Sequence, residues 1–110
     1  MLFSSPSSAS TSTECIRRVV FSEAGSEPEE GKQGVAHVIL NRSKEQKKNP
    51  CDIIKQRKQF TQKTPPKDFD FVVNKKDPTG GATYFRKKNA THWMKMRRLI
   101  RIGQHTFYGK

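Results

Sequence analysis

Apolar positions in the first half of the chain recur at helical spacing. Ile16, Val19 and Val20 fall on one face, which predicts a short amphipathic helix over 14–24 that ends at Gly25-Ser26. Val35, Val38, Ile39 and Arg42 share a face in the next segment, with Ala36 and Leu40 beside it. For this second helix Ser26 is a cap, Pro28 suits the first turn, and Glu29 completes a Ser-x-x-Glu capping box. It is predicted to run to about Lys44. Gly31 and Gly34 weaken it, so their presence predicts close packing against a neighbour. The two helices would form a helical hairpin. Asn49-Pro50 then opens a third helix, 51–57, with Ile53 and Ile54 facing inward.

The periodicity changes in the second half. Gln59-Phe60-Thr61 reads as extended, and 62–76 reads as loop with a hydrophobic anchor over 69–73. Asp77-Pro78-Thr79-Gly80-Gly81 is a dense turn signal, followed by a strand over 82–85. Residues 89–94, with Trp93, read as a turn or short helical piece. Segments 99–102 and 105–108 are strands separated by Gly103-Gln104, the two-residue loop of a type II′ hairpin. Helices come first and a small antiparallel sheet follows, the order of an α+β domain. Residues 1–13 are mostly Ser and Thr and are expected to form a flexible tail, with one domain over 14–110.

The chain has 110 residues, enough for one domain with a modest core. Its charge is lopsided: 22 Lys and Arg against 10 Asp and Glu give +12. Long-range attraction to polyanions follows, weakened by salt. Nucleic acid, an anionic membrane, lipopolysaccharide and the bacterial cell wall all qualify. No stretch approaches a membrane span, and the N-terminus lacks the basic start and apolar run of a secretory signal. Cys15 and Cys51 allow one disulfide, but without a dense cysteine framework two buried thiols are expected instead. No His/Cys cluster has metal-ligand spacing, and no cofactor is implied.

Among residues able to carry chemistry, Glu23 stands out because it continues the apolar spacing of Ile16, Val19 and Val20. A carboxyl shielded from water favours its neutral form, the state from which a general acid starts. The competing reading has Glu23 swing into solvent at the helix end. Glu29 and Glu30 are explained by the helix dipole, and Glu27 flanks the same turn as Glu23. His37 and His92 read as structural, whereas His105 opens the last strand beside a glycine loop. No Ser or Cys sits in a nucleophile setting, so a catalytic triad is not expected. The aromatics Tyr84, Phe85, Trp93, Phe107 and Tyr108 gather near the glycine turn in sequence, where they suit either sugar rings or a core.

Taken in order, Phe21-Ser22-Glu23-Ala24-Gly25-Ser26-Glu27-Pro28, Glu30-Gly31 and Val35-Ala36-His37-Val38-Ile39-Leu40-Asn41-Arg42 resemble the opening of the SleB-type cell wall hydrolases, a family that includes the spore cortex-lytic enzymes. The likeness continues through Cys51, Gln59-Phe60-Thr61, Asp77 to Phe85, Trp93 and Ile102 to Tyr108. It implies a lysozyme-like α+β catalytic domain that degrades bacterial peptidoglycan without metal or cofactor. The family's catalytic glutamate carries over to Glu23. Thr79, Gly80, Gly81, Tyr84 and His105 would line the substrate groove, with Gln59, Phe60 and Tyr108.

The chain departs from the family in two places. Residues 61–76 are shorter than the usual insert, and Gly25 stands where Arg is common. A monomer with no wall-binding module and no specific nucleic-acid partner is expected, closer to a phage-type lytic enzyme than to a spore protein. No second carboxylate presents itself as a hydrolytic partner, Asp77 being explained by its turn. The expected reaction is therefore lytic transglycosylation of the bond after N-acetylmuramic acid, with simple muramidase hydrolysis as the alternative. A non-catalytic basic binding module is the further alternative. The site of action would be the wall, reached by a route other than a signal peptide.

Overall fold

The computed structural model describes residues 8–55, 63–87 and 96–109. Among these, three helices precede three strands: α1 (Ser8–Ala24), α2 (Glu29–Gln46), α3 (Pro50–Lys55), β1 (Tyr84–Lys87), β2 (Arg97–Ile102) and β3 (His105–Gly109). The domain is α+β, as the order of periodicities predicts.

The predicted helical faces are the buried ones. Ile16, Val19, Val20 and Ala24 of α1 meet Val35, Ala36, Val38 and Ile39 of α2 and Ile53 and Ile54 of α3 in one core. Arg42 shares the buried face of α2, and its guanidinium lies 4.6 Å from the centre of the Tyr84 ring. Gly34 shows why a helix tolerates glycine here. A Cβ at that position would stand 2.6 Å from Cζ of Phe107, so only a bare backbone lets α2 approach the sheet this closely.

The sheet has the order β1-β3-β2, with β3 central and both pairings antiparallel. Every residue of β3 is buried. Gly103 has φ of 58° and is followed by a residue of negative φ, the combination of the expected type II′ turn between β2 and β3. The register slips between Arg98 and Ile100, leaving Leu99 as a bulge.

Residues 63–76 contain no helix or strand, as predicted, yet they are firmly attached. Arg17 donates to the Phe69 carbonyl at 2.7 Å. The Gln33 amide donates to the Val72 carbonyl and accepts from the Asn74 N–H, both at 2.8 Å. His37 Nε2 lies 2.8 Å from the Asn74 carbonyl oxygen. The expected anchor is present: Phe71 is buried, and Phe69 and Val73 pack on the core. Phe69 also stands edge-on to Phe21, 5.2 Å between ring centres.

Three expectations require correction. First, α1 starts at Ser8 rather than near Glu14. Ser and Thr are only mildly unfavourable in a helix, and Ser12 Oγ donates to Asn49 Oδ1 at 3.3 Å, holding the early turns against the start of α3. Second, Ser26 does not cap α2. Pro28 is the N-cap residue, with extended backbone and no side-chain cap bond because proline carries no side-chain acceptor, and Glu29, the expected box partner, instead accepts from the Gln33 amide at 2.7 Å. Third, Cys15 and Cys51 are not free thiols but a disulfide, with Cα atoms 5.5 Å apart. Packing of α1 on α3 brings the two cysteines within bridging range, which sequence spacing alone could not reveal. The expectations over 56–62 and 88–95, including the extended Gln59-Phe60-Thr61 and the Trp93 turn, fall outside the described residues.

Candidate active site

An open cleft lies where the end of α1 meets the β2–β3 hairpin. It is lined by Phe21, Ser22, Glu23, Gly25, Ser26, Glu27, Gln104 and His105. Glu23 is half-buried on the last turn of α1. The α1–α2 turn that follows is closed by the Glu27 N–H donating to the Ala24 carbonyl at 3.0 Å. Glu23 and His105, singled out from sequence, therefore share one cleft although 82 positions separate them.

Glu27 is the site residue that sequence reasoning undervalued. Its side chain is only 9% exposed. Its Oε1 accepts the Gln104 N–H at 2.8 Å and lies 3.9 Å from His105 Nδ1. That bond ties the hairpin tip to the α1–α2 turn and so sets the width of the cleft between them. A Cβ on Gly103 would collide with the same carboxylate oxygen, so glycine is required there by space as well as by its positive φ. The only sequence signal for this contact was the placement of Glu27 beside Glu23. His105 itself is buried, with Phe85 edge-on to its ring at 5.1 Å.

The Asp77 turn is a separate construction. Asp77 Oδ1 accepts the Thr79 N–H at 2.8 Å and the Thr79 hydroxyl at 2.6 Å. Its Oδ2 accepts the Gly81 N–H and the Asn41 amide, both at 2.9 Å. Asn41 also donates to the Ala82 carbonyl at 2.8 Å, linking the turn to α2. Burial pushes the Asp77 carboxyl upward, but the bonds from Thr79, Asn41 and Gly81 outweigh it and hold the carboxyl below its ordinary value. This carboxylate is spoken for, in keeping with its reading as a turn residue.

The remaining candidates among the described residues lie away from the Glu23 cleft. Thr79 is buried within the Asp77 turn, and Gly80 and Gly81 are exposed on it. Tyr84 is half-buried and pairs with Tyr108, which is buried. The Thr83 N–H donates to the Tyr108 carbonyl at 2.9 Å, which places this group at the end of β3 opposite His105. At the usual rise per strand residue, that is roughly 10 Å from His105. Gln59 and Phe60 fall outside the described residues. No group of His, Cys, Asp and Glu among the described residues could hold a metal ion. No helix among them is long and apolar enough to cross a membrane.

Comparison with known proteins supports the fold and gives the family. The crystal structure of the catalytic domain of the Bacillus cereus SleB protein is similar, with a TM-score of 0.70, 26% sequence identity, and coverage of 89% of each chain. No curated protein matches the sequence. The family model described as Cell Wall Hydrolase matches residues 26–108, a span that takes in Glu27, the Asp77 turn and the whole sheet and begins just after Glu23. On that match, the chain belongs to the cell wall hydrolase family.

Proposed function

We propose that this protein degrades peptidoglycan by cleaving its glycan strands, and that Glu23 carries the chemistry as a lytic transglycosylase acting after N-acetylmuramic acid. The observation that carries this reading is the position of Glu23 on the wall of an open cleft that also holds His105. As acid, the carboxyl protonates the glycosidic oxygen as its bond to the muramic anomeric carbon breaks. As carboxylate, it then takes the proton of that sugar's 6-hydroxyl, whose oxygen bonds to the anomeric carbon and closes an anhydro ring. No water is consumed, and Glu23 ends protonated as it began. The engagement of Glu27 by the Gln104 N–H supports a single acting carboxyl.

Gly80, Gly81 and Tyr84, with Thr79 and Tyr108 beneath them, would meet sugars further along the strand, together with Gln59 and Phe60. The Cys15–Cys51 disulfide suits action at the wall, outside the reducing cytoplasm. A second reading, hydrolysis, is favoured by one observation: Glu27 lines the same cleft and is a second carboxylate beside Glu23.

Digestion of purified peptidoglycan with mass analysis of the products tests both. Anhydro-muramic ends are expected from the wild-type protein, and no products from Glu23→Gln. Reducing ends would select hydrolysis. A fully active Glu23→Gln variant would remove Glu23 from the site.

A further inference from the structure

Strand β2 carries Arg97, Arg98 and Arg101, all exposed. In a regular strand, residues three apart point to opposite faces. Here the Leu99 bulge adds a step, so Arg98 pairs with Tyr108 and Arg101 with Thr106, two positions apart on β3. Arg98 and Arg101 therefore share one face of the sheet. It is the face opposite Phe107, which packs on Gly34 of α2. Arg86 of β1 also pairs with Thr106, so arginines flank that residue on both sides.

The described carboxylates do not neutralise this strand. The ion pairs resolved among described residues join Glu14 to Arg17 and Arg18, and the Glu27 carboxylate faces His105 Nδ1 at 3.9 Å. The side-chain bond resolved on β2 is a long one, from Arg101 Nε to the Gly103 carbonyl at 3.5 Å. The strand also leads straight to the cleft. Arg101 lies about 7 Å and Arg98 about 16 Å from Gly103 at the usual rise per residue. Charge on an edge strand also discourages sheet-to-sheet pairing, but that purpose needs neither a shared face nor a location beside the cleft.

We propose that this arginine face binds the carboxylates of the peptide stems that project from the glycan strand held in the cleft. The inference rests on peptidoglycan being the substrate. Guanidinium groups suit carboxylates because their planar fork can donate two parallel bonds. A glycan in the cleft presents a peptide on each muramic acid, so stems beyond the cleaved bond would lie along β2. Preference for peptide-bearing, uncapped glycan then belongs to the sheet rather than to the Glu23 cleft.

The test uses purified peptidoglycan freed of attached phosphate polymers, compared with the same material after its carboxylates are amidated with carbodiimide and ammonia. Wild type is expected to release products about fivefold faster from the untreated material, the scale set by a few solvent-exposed ion pairs. In Arg98→Gln/Arg101→Gln, whose folding is checked by circular dichroism, that ratio is expected to fall toward one. A control, Lys44→Gln/Lys55→Gln, removes the same charge from α2 and α3 and is expected to keep the ratio. Equal rates on both materials by wild type overturn the inference while leaving glycan cleavage intact. Loss of the ratio in the lysine control assigns it to net charge and also overturns it. Failure of wild type to cut either material overturns the peptidoglycan reading and this inference with it.

Discussion

Breaking the Cys15–Cys51 disulfide is expected to cost much of the stability of the domain. The bridge closes a loop of 36 positions from α1 to the start of α3. Restricting the unfolded chain by a loop of that length is worth about 3.8 kcal/mol at 25 °C on the chain-entropy scale. A domain of this size typically has only about 5–15 kcal/mol in total. With an unfolding entropy of about 2.1 cal/mol/K per residue, the loss converts to a fall in melting temperature of about 16 °C. The assay is thermal unfolding followed by circular dichroism, for the oxidised protein, the protein reduced with dithiothreitol, and Cys15→Ala/Cys51→Ala. The reduced and double-variant proteins are expected to melt together, well below the oxidised one. Activity on peptidoglycan is expected to fall in parallel at temperatures between the two midpoints, because Glu23 stands on the same helix as Cys15, about 12 Å further along. A shift under about 4 °C would refute the reasoning, since the bridge would then be holding a chain already confined by other means.

Other perturbations test the remaining contacts. Gly34→Ala is expected to destabilise the fold by roughly 1–3 kcal/mol, read by urea unfolding, because its methyl would meet the Phe107 ring at 2.6 Å; Phe107→Leu should relieve part of that cost in the double variant. Gly103→Ala combines a positive φ with collision at the Glu27 carboxylate, so loss of glycan cleavage is expected together with a lowered melting temperature. The stability that Asp77 contributes should depend on pH in a definite direction: its folded value is depressed, so the contribution is present above the unfolded value near 3.8 and disappears as pH falls through the lower folded value. Asp77→Asn is expected to flatten the acid limb of a stability profile measured by denaturant titration.

Legibility in the sequence followed the range of the interactions. Local patterns were readable. The apolar stripes of α1 and α2, the Ile53-Ile54 pair, the Gly103-Gln104 hairpin and the Asp77 turn all act over a few residues, and each occurs where the pattern indicated. Gly34 was readable as a demand for close approach, though not as an approach by Phe107 in particular. What stayed hidden depends on contacts between distant segments. The Cys15–Cys51 bridge needed α1 beside α3, and the early start of α1 follows from the same docking. The Glu27 carboxylate could be placed only at the turn it shares with Glu23 until the hairpin tip, 77 positions later, was brought onto it.

That last contact also explains why Glu23 and His105 are found together at all. Neither a helix end nor a hairpin tip is rigid by itself, since both are turns with few internal bonds. Here each borrows stiffness from the other. The Glu27 carboxylate joins the turn after α1 to the Gln104 N–H, while the Gly34–Phe107 contact fixes α2 against the middle of the same sheet. Two separated attachments between one helical layer and one strand pair remove the hinge that either alone would leave. On this view Glu27 is expected to act on cleft geometry rather than on chemistry. Substituting it by Gln, which keeps an acceptor for the Gln104 N–H, should preserve far more of the cleavage rate than Glu27→Ala, which leaves the tip untied. If the two variants were equally impaired, the carboxylate charge rather than the tether would be what the cleft requires.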